Sequence, residues 1–288
     1  MKLTDILALL VVILVWGMNF IAIKVSVELA PPLMVSAIRF AIAGLILVLW
    51  VPFPRQQFKA IVVLSVIMGG FYFSMLFVGL RGVDVAVAAI ITQLGVPFSA
   101  IIARIFLNDV FGWRRAMGMF IAFAGVAMIA GSPETATQTG ALLLVLGSAL
   151  AWGAGNVWAK HIGTINPLSL IAWMSLISSP LVAASSWFVE TGQINILKEL
   201  SLDFWLAVSY SAIASSVVGY GIWYHMVQKY GVTAVTPYNL MTPVVAVMAG
   251  VIILGEDITP EKIAGGILTL FGVAVIQLRW RRPSQPQG

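Results

Sequence analysis

The chain contains no cysteine and very little charge. Its 288 residues include 16 Lys and Arg, 11 Asp and Glu and only two His. Without cysteine there are no disulfides, no thiolate nucleophile and no cysteine-ligated metal. An ordinary soluble domain is about 25% charged. Here charged residues make up 9% and apolar residues 60%, which cannot cover a water-exposed surface. Most of the chain is therefore expected to lie in a lipid bilayer.

The shortage of ionisable groups also bears on function. An intramembrane enzyme needs a nucleophile, a metal or an acid–base pair at depth. The sequence has no HExxH motif, and the predicted spans have no Asp or Glu near their middle. We therefore predict neither an enzyme nor a metal or cofactor site. The basic residues are scattered, without a Lys/Arg stripe, so no nucleic-acid partner is expected.

What the chain has in abundance is long apolar runs, since a span needs about 20 apolar residues. Ten are predicted, which gives an all-α, polytopic membrane protein. They lie near residues 4–25, 33–51, 59–80, 85–107, 113–131, 138–159, 167–189, 203–227, 234–254 and 262–280. The connections are short, so neighbouring spans are antiparallel. Only the loop over 190–202 is long enough for a short interfacial helix.

The distribution of basic residues predicts the orientation of the bundle. With a cytoplasmic N-terminus, eleven Lys and Arg fall on the inner side, four on the outer side and Arg39 within the second span. Basic residues are enriched in cytoplasmic loops. Both termini are therefore predicted to be cytoplasmic, in the cell (inner) membrane.

The two halves of the chain, 1–132 and 133–288, resemble each other. At an offset of 136, Trp16-Gly17 falls on Trp152-Gly153 and Lys24 falls on Lys160. At an offset of 147, residues 107–129 fall on 254–276 with two shared glycines, Gly118 on Gly265 and Gly125 on Gly272. Each half holds five predicted spans. Five is odd, so the halves must insert with opposite orientation, which is the inverted-repeat architecture of many secondary carriers.

Several segments resemble the ten-span EamA-type members of the drug/metabolite transporter superfamily. They are LVWGMNFIAIK, PPLMVSAIRF, VAVAAIITQLGVPFSAIIARIFLND, AWGAGNVWAK and VVGYGIWYHMVQKYGVTAVTPYNLMTPVVAVMAGVIILGED. One turn departs from the pattern, because the first half has Asn108-Asp109 where the second has Gly255-Glu256. Within the superfamily the chain is most similar to bacterial amino-acid and metabolite exporters. The resemblance implies a carrier with a substrate site between the halves.

The candidate substrate-binding residues are the neutral polar and aromatic side chains at mid-depth. They are Trp16, Asn19, Tyr72, Gln93, Trp152, Asn156, Tyr220, Trp223, Tyr238 and Asn239. For the two Trp residues the alternative is anchoring at the membrane interface. For Asn19, Asn156 and Gln93 it is hydrogen bonding between helices. For Tyr72, Tyr220 and Trp223 it is packing. A neutral, aromatic cavity suits zwitterions or uncharged metabolites better than phosphorylated ones.

Three further interpretations concern groups near this site. Pro97 lies four residues after Gln93, which should leave the Gln93 carbonyl without its helical partner. Arg39 and Lys24 are expected to snorkel to an interface. The absence of a central titratable group favours facilitated diffusion or exchange over proton coupling. Coupling through Arg39 or His225 is the alternative.

The glycines and prolines fall into two groups. Gly70, Pro97, Gly219 and Pro243 are predicted gating or hinge positions, with close packing as the alternative for the glycines. Gly118, Gly125, Gly265, Gly266 and Gly272 form small-residue stripes on the fifth and tenth spans. We interpret those two spans as scaffold or dimer contact, away from substrate, in a monomer or in a weak homodimer formed through them.

The sequence thus predicts a secondary transporter that exports amino acids or related neutral or zwitterionic metabolites. Its partners are a small-molecule substrate and the bilayer. A permease for drugs, nucleosides or sugars is the alternative within the same class. A channel or a lipid flippase is the alternative outside it.

Overall fold

The structure, a computed structural model, describes residues 1–108, 112–131, 139–160, 162–163 and 165–277. These residues form helices and no strand. Ten long helical segments run Leu3–Leu29 (α1), Pro32–Val48 (α2), Phe58–Gly82 (α3), Val85–Leu107 (α4), Trp113–Ala130 (α5), Thr139–Ala159 (α6), Pro167–Val189 (α7), Leu202–Tyr230 (α8), Thr236–Leu254 (α9) and Pro260–Gln277 (α10). The predicted boundary between the halves and the predicted span end at 278–280 lie outside the described residues.

Eight of these helices are long and apolar enough to cross a membrane, namely α1 and α3 to α9, and α2 is a shorter apolar helix. The chain is therefore a multi-pass membrane protein, as predicted. Helix bounds in the described residues agree with the predicted spans to within a few residues. The loop before α8 carries the short helix Gln193–Leu197, at the place where the sequence allowed one.

Helix ends follow local chemistry. Pro32 and Pro167 begin α2 and α7, where the missing N–H of proline costs nothing. The Asn166 side chain accepts hydrogen bonds from the Leu168 and Ser169 N–H groups. At the other ends, α4 stops at Asn108 with φ 53° and α9 stops at Gly255 with φ 69°. The two halves therefore end these helices with the same left-handed turn, despite the different residue.

Charged side chains join helix ends from distant parts of the chain. The Glu190 carboxylate accepts from the N–H groups of Leu33 and Met34 at the start of α2. Glu256 accepts from the first N–H groups of α4 in the same way. Lys24, which is predicted to snorkel, also reaches a helix end with its side chain. Its Nζ donates to the carbonyls of residues 80, 81 and 83 at 3.1–3.2 Å and so caps the C-terminus of α3.

The helix contacts come in pairs related by exchange of the halves. α5 packs on α10, and α2 packs on α7. α6 packs on α3 and α4, and α1 correspondingly packs on α8 and α9. α1 and α6 therefore each pack against two helices of the opposite half.

Candidate functional site

A cavity of about 480 Å³ lies among eight of the ten long helices. Its described wall takes residues from α1, α2, α3, α4, α6, α7, α8 and α9, and none from α5 or α10. Nine of the ten predicted binding residues line it: Trp16, Asn19, Tyr72, Gln93, Trp152, Asn156, Tyr220, Trp223 and Asn239. The fold thus brings together predicted residues that lie up to 223 positions apart in the chain.

The helices around this cavity are irregular at mid-span. α3 contains a π-helical stretch at Val66–Phe73, and α8 contains one at Tyr210–Gly219. α4 is interrupted between Thr92 and Gly95, and α9 begins with the 3₁₀ turn Thr236–Met241. Such deviations leave backbone carbonyls available to other donors. Both pairs of irregularities fall at corresponding places in the two halves.

The first-span Trp16 is held by one of these irregular stretches. Its indole Nε1 donates to the Ser215 carbonyl at 3.1 Å. Its ring centroid lies 5.0 Å from that of Tyr220 and 5.1 Å from that of Trp223. A Cβ added at Gly219 would lie 2.6 Å from Nε1 of Trp16. Close packing, the alternative given for Gly219, is therefore present, and its hinge role stays a prediction.

Trp152, the counterpart of Trp16, sits where α4 is interrupted. A Cβ added at Gly95 would collide with the Trp152 ring, so the glycine makes room for it. The adjacent glycines approach the irregular helices of the opposite half. A Cβ on Gly153 would lie 2.9 Å from Phe98, and one on Gly17 would lie 2.5 Å from Val245. Pro97 and Pro243 are buried beside these contacts, and Gly70 faces Leu181. Their gating roles stay predictions.

The polar members of the wall have different surroundings. The Asn239 Oδ1 accepts from the Thr242 hydroxyl at 3.0 Å, whereas the Asn19 Oδ1 is buried without a partner. The expectation of a free Gln93 carbonyl is wrong, because it accepts from the Val96 N–H at 3.1 Å. A tighter i to i+3 turn before Pro97 thus replaces the lost helical bond. The Gln93 side chain still borders the cavity.

Tyr238 is the predicted residue that the cavity wall does not include. It packs, partly buried, against a small cluster of Leu9, Met226 and Val235. Its neighbour Asn239 faces the cavity instead, because the 3₁₀ turn places successive residues about 120° apart. His225, an alternative coupling residue, is exposed on α8 and does not line the cavity.

Arg39 is the site residue that the sequence interpretation misplaced. It does not snorkel, since only 3% of it is exposed and it borders the cavity. Its Nη2 donates to the Ser216 hydroxyl at 3.0 Å and its Nε to the Ser211 carbonyl at 3.4 Å. Its guanidinium carbon lies 4.4 Å from the Phe73 ring centroid. A charge near the bilayer centre costs roughly 2.5–3.5 kcal/mol on insertion scales, so a buried one is a functional candidate.

Two more observations delimit the site. Tyr224 also lines the cavity and stacks on Tyr220 at 6.0 Å. Its spacing of four residues from Tyr220 puts both on one helix face, a signal that was present in the sequence. Within the described ranges, no three His, Asp or Glu side chains come together as a metal site.

The fold and the cavity together define a multi-pass membrane protein with a central cavity. A sequence model described as the EamA-like transporter family matches residues 3–131 and again 139–278. The chain therefore belongs to the EamA-like transporter family.

Relatives cover nearly the full length. A "probable amino-acid metabolite efflux pump" of Salmonella typhimurium is 27% identical over 98% of both chains. The Escherichia coli K12 protein of the same description is 27% identical over 96% of both. An uncharacterized inner membrane transporter, YedA of Escherichia coli K12, is 25% identical over 97% of this chain and 92% of its own. A solved crystal structure shares the fold with a TM-score of 0.62, 18% identity and coverage of 96% and 98%.

Proposed function

We propose that this protein is a secondary carrier that exports amino acids or related neutral or zwitterionic metabolites across the cytoplasmic membrane. The observation that carries the proposal is the cavity, whose wall is built from both halves of a transporter-family chain. Its volume of about 480 Å³ falls in the range of small-molecule sites, roughly 300–1,000 Å³. Apolar and aromatic surfaces dominate the wall, as suits a small metabolite with few charges.

Alternating access through an inverted repeat is the mechanism we propose. Two supports are the double match of the family model and the exchange-related helix contacts. A third is the placement of the irregular stretches of α3, α4, α8 and α9 around the cavity. In carriers of this kind, one repeat rocks against the other about a fixed site. The predicted orientation, with both termini cytoplasmic, is part of the proposal.

The export of amino acids rests on the two relatives at 27% identity, each described as a probable amino-acid metabolite efflux pump. Uncoupled transport or exchange rests on the composition of the wall. Its described residues include no Asp, Glu or His that could carry a proton. We therefore expect uptake to follow the solute gradient and to respond to solute on the opposite side.

Counterflow in proteoliposomes tests the proposal. Vesicles preloaded with unlabelled amino acids should accumulate the labelled compound, and uptake should saturate and be independent of a pH gradient. Trp152→Ala and Asn156→Ala should each reduce this uptake, whereas Trp187→Ala, on the exposed face of α7, should not. A channel would show no trans-stimulation. Transport of nucleosides or sugars in place of amino acids would contradict the proposed substrate class, and dependence on a pH gradient would contradict uncoupled transport.

A further inference from the structure

Two buried polar atoms beside the cavity have no hydrogen-bond partner. They are the Nη1 donor of Arg39 and the Oδ1 acceptor of Asn19, on α2 and α1. Both residues border the cavity. Buried polar groups in folded proteins are nearly always paired, so an orphaned pair at one site calls for a ligand that supplies the missing partners. The Arg39 Nη1 group needs a hydrogen-bond acceptor, and the Asn19 Oδ1 atom needs a hydrogen-bond donor.

The Arg39 charge has no anionic partner among the described residues. Ion pairs there join Lys24 to Glu28, Lys229 to Asp5 and Lys262 to Asp84, and Arg39 takes part in none. Its own contacts are neutral: a carbonyl, a hydroxyl and an aromatic face. A buried cation compensated only by dipoles gains strongly from an incoming anion. A guanidinium also matches a carboxylate geometrically, through two parallel hydrogen bonds.

The first-span side of the cavity suits the opposite charge. Asn19 offers an acceptor, and Trp16, Tyr220 and Trp223 form a continuous aromatic cluster beside it. Aromatic faces attract an ammonium group, more strongly when water is excluded. The cavity thus has an uncompensated cation at Arg39, and it has groups that attract a cation at Asn19 and the aromatic cluster.

We propose that Arg39 binds the carboxylate of the substrate, while Asn19 and the aromatic cluster receive its ammonium group. The substrate class is then the free α-amino acids, and amides or esters without the carboxylate are discriminated against. This inference deepens the proposed transport function and rests on it. Both orphan atoms are covered in this conformation, so the two side chains must turn toward the substrate as it binds.

A purely structural role for Arg39 is the competing explanation. Its Nε and Nη2 bonds hold the π-helical stretch of α8, through the Ser211 carbonyl and the Ser216 hydroxyl. In that case its removal would disturb every ligand alike. Ser216→Ala removes one of these bonds and keeps the guanidinium, so it separates the two roles.

Matched ligand pairs test the inference in proteoliposomes containing the full chain. Leucine, phenylalanine and threonine are each compared with their carboxamides, with binding followed by the intrinsic tryptophan fluorescence of the cavity. The wild type should bind the acids at least about tenfold more tightly than the amides, the scale of a charge-assisted hydrogen bond. Arg39→Gln should weaken the acids to the level of the amides and leave the amides unchanged. Arg39→Lys should retain part of the preference.

Controls and outcomes keep this test separate from the transport proposal. Arg104→Gln, the same change on an exposed residue, and Ser216→Ala should keep the acid–amide preference. Loss of the preference in Ser216→Ala, or a parallel loss of acids and amides in Arg39→Gln, overturns the inference. Selective binding of acids without counterflow refutes the carrier and supports the role of Arg39. Counterflow of acids and amides alike supports the carrier and refutes the role of Arg39. Absence of both binding and counterflow overturns both.

Discussion

The α5–α10 pair and the helices around the cavity are built from similarly apolar sequence, yet they pack in different ways. α5 and α10 are regular helices that meet backbone to backbone. A Cβ on Gly118 would lie 2.8 Å from the Gly272 carbonyl, and one on Gly125 would lie 2.5 Å from that of Gly265. The cavity helices instead contain π-helical stretches, an interruption and a 3₁₀ turn, with aromatic rings between them.

The difference shows how one bundle can combine a rigid part with a binding site. Small residues let helices approach closely and gain dispersion contacts along their length. Irregular backbone at membrane depth is tolerated where it lines a cavity. The glycines of α5 and α10 therefore pack the two helices of one chain against each other. A weak homodimer, predicted as the alternative to a monomer, would need their outer faces, where Phe120, Ile267 and Phe271 are exposed, and it stays a prediction.

The largest expected effect on stability is that of Gly125→Ala. Its new Cβ would meet backbone atoms of α10, which cannot move aside as a flexible side chain can. Overpacking costs typically 1–3 kcal/mol, and we expect a loss of about 3 kcal/mol. Thermal unfolding in detergent measures it. Gly221→Ala is the matched control, because no atom lies within 4 Å of its added Cβ. Equal shifts in Tm for Gly125→Ala and Gly221→Ala would show that the α5–α10 pair is packed no more tightly than the cavity helices.

The next largest effect is that of Gly219→Ala on transport. The added Cβ would displace the Trp16 indole from the Ser215 carbonyl and from its two ring partners. Such ring pairs contribute about 0.5–1.5 kcal/mol each, and 1.4 kcal/mol is a factor of ten. We expect counterflow to fall about tenfold, with a smaller change in Tm than in Gly125→Ala. An unaltered transport rate would show that the position of Trp16 does not matter for function.

A smaller effect is expected at the helix ends, which lie outside both regions. Lys24→Met removes the donor that caps three carbonyls at the end of α3. A cation at a helix C-terminus contributes up to about 1 kcal/mol at partly exposed sites, and we expect that loss of stability. Chemical denaturation in mixed micelles measures it. Lys198→Met, at an exposed lysine, is the control and should leave the stability unchanged.

The smallest effect is expected on the outer face of the regular pair. Phe120 and Phe271 are 77% and 59% exposed, so most of each side chain lies outside the bundle, where we expect lipid. Substitution of either by Leu should change the free energy of unfolding by less than about 0.5 kcal/mol. A loss as large as that of Gly125→Ala would mean that this face is packed against another chain. Tm values for both variants decide between these outcomes.

Most of the fold could be predicted from sequence because apolar run length and proline position are local signals. The candidate cavity residues were found because the repeat marks the same depth twice, as in Trp16 and Trp152. The errors arose where tertiary contacts decide. Arg39 is within reach of an interface by its position, yet the Ser211 carbonyl and the Ser216 hydroxyl of α8 hold it inward. Tyr238 has the right depth, but the 3₁₀ turn aims Asn239 at the cavity in its place.

The π-helical stretches also escaped prediction. Gly70 and Gly219 suggested bending in the right two spans, but the sequence does not reveal that the bend takes the form of an extra residue per turn. That choice depends on which carbonyls find donors elsewhere. In α8 the donors are Trp16 and Arg39, from two other helices.

Access to the cavity from both sides is the central claim, and the absence of cysteine makes it directly measurable. Thr92→Cys places a single thiol on the cavity wall, outside the proposed binding residues, and Phe271→Cys places one on the outer face of α10 as a control. A membrane-impermeant thiol reagent is then applied to right-side-out and inside-out vesicles. We predict labelling of Thr92→Cys from both sides, slowed by substrate amino acids, and no labelling of Phe271→Cys from either side. Labelling from one side only, or without protection by any transported solute, would contradict alternating access through this cavity.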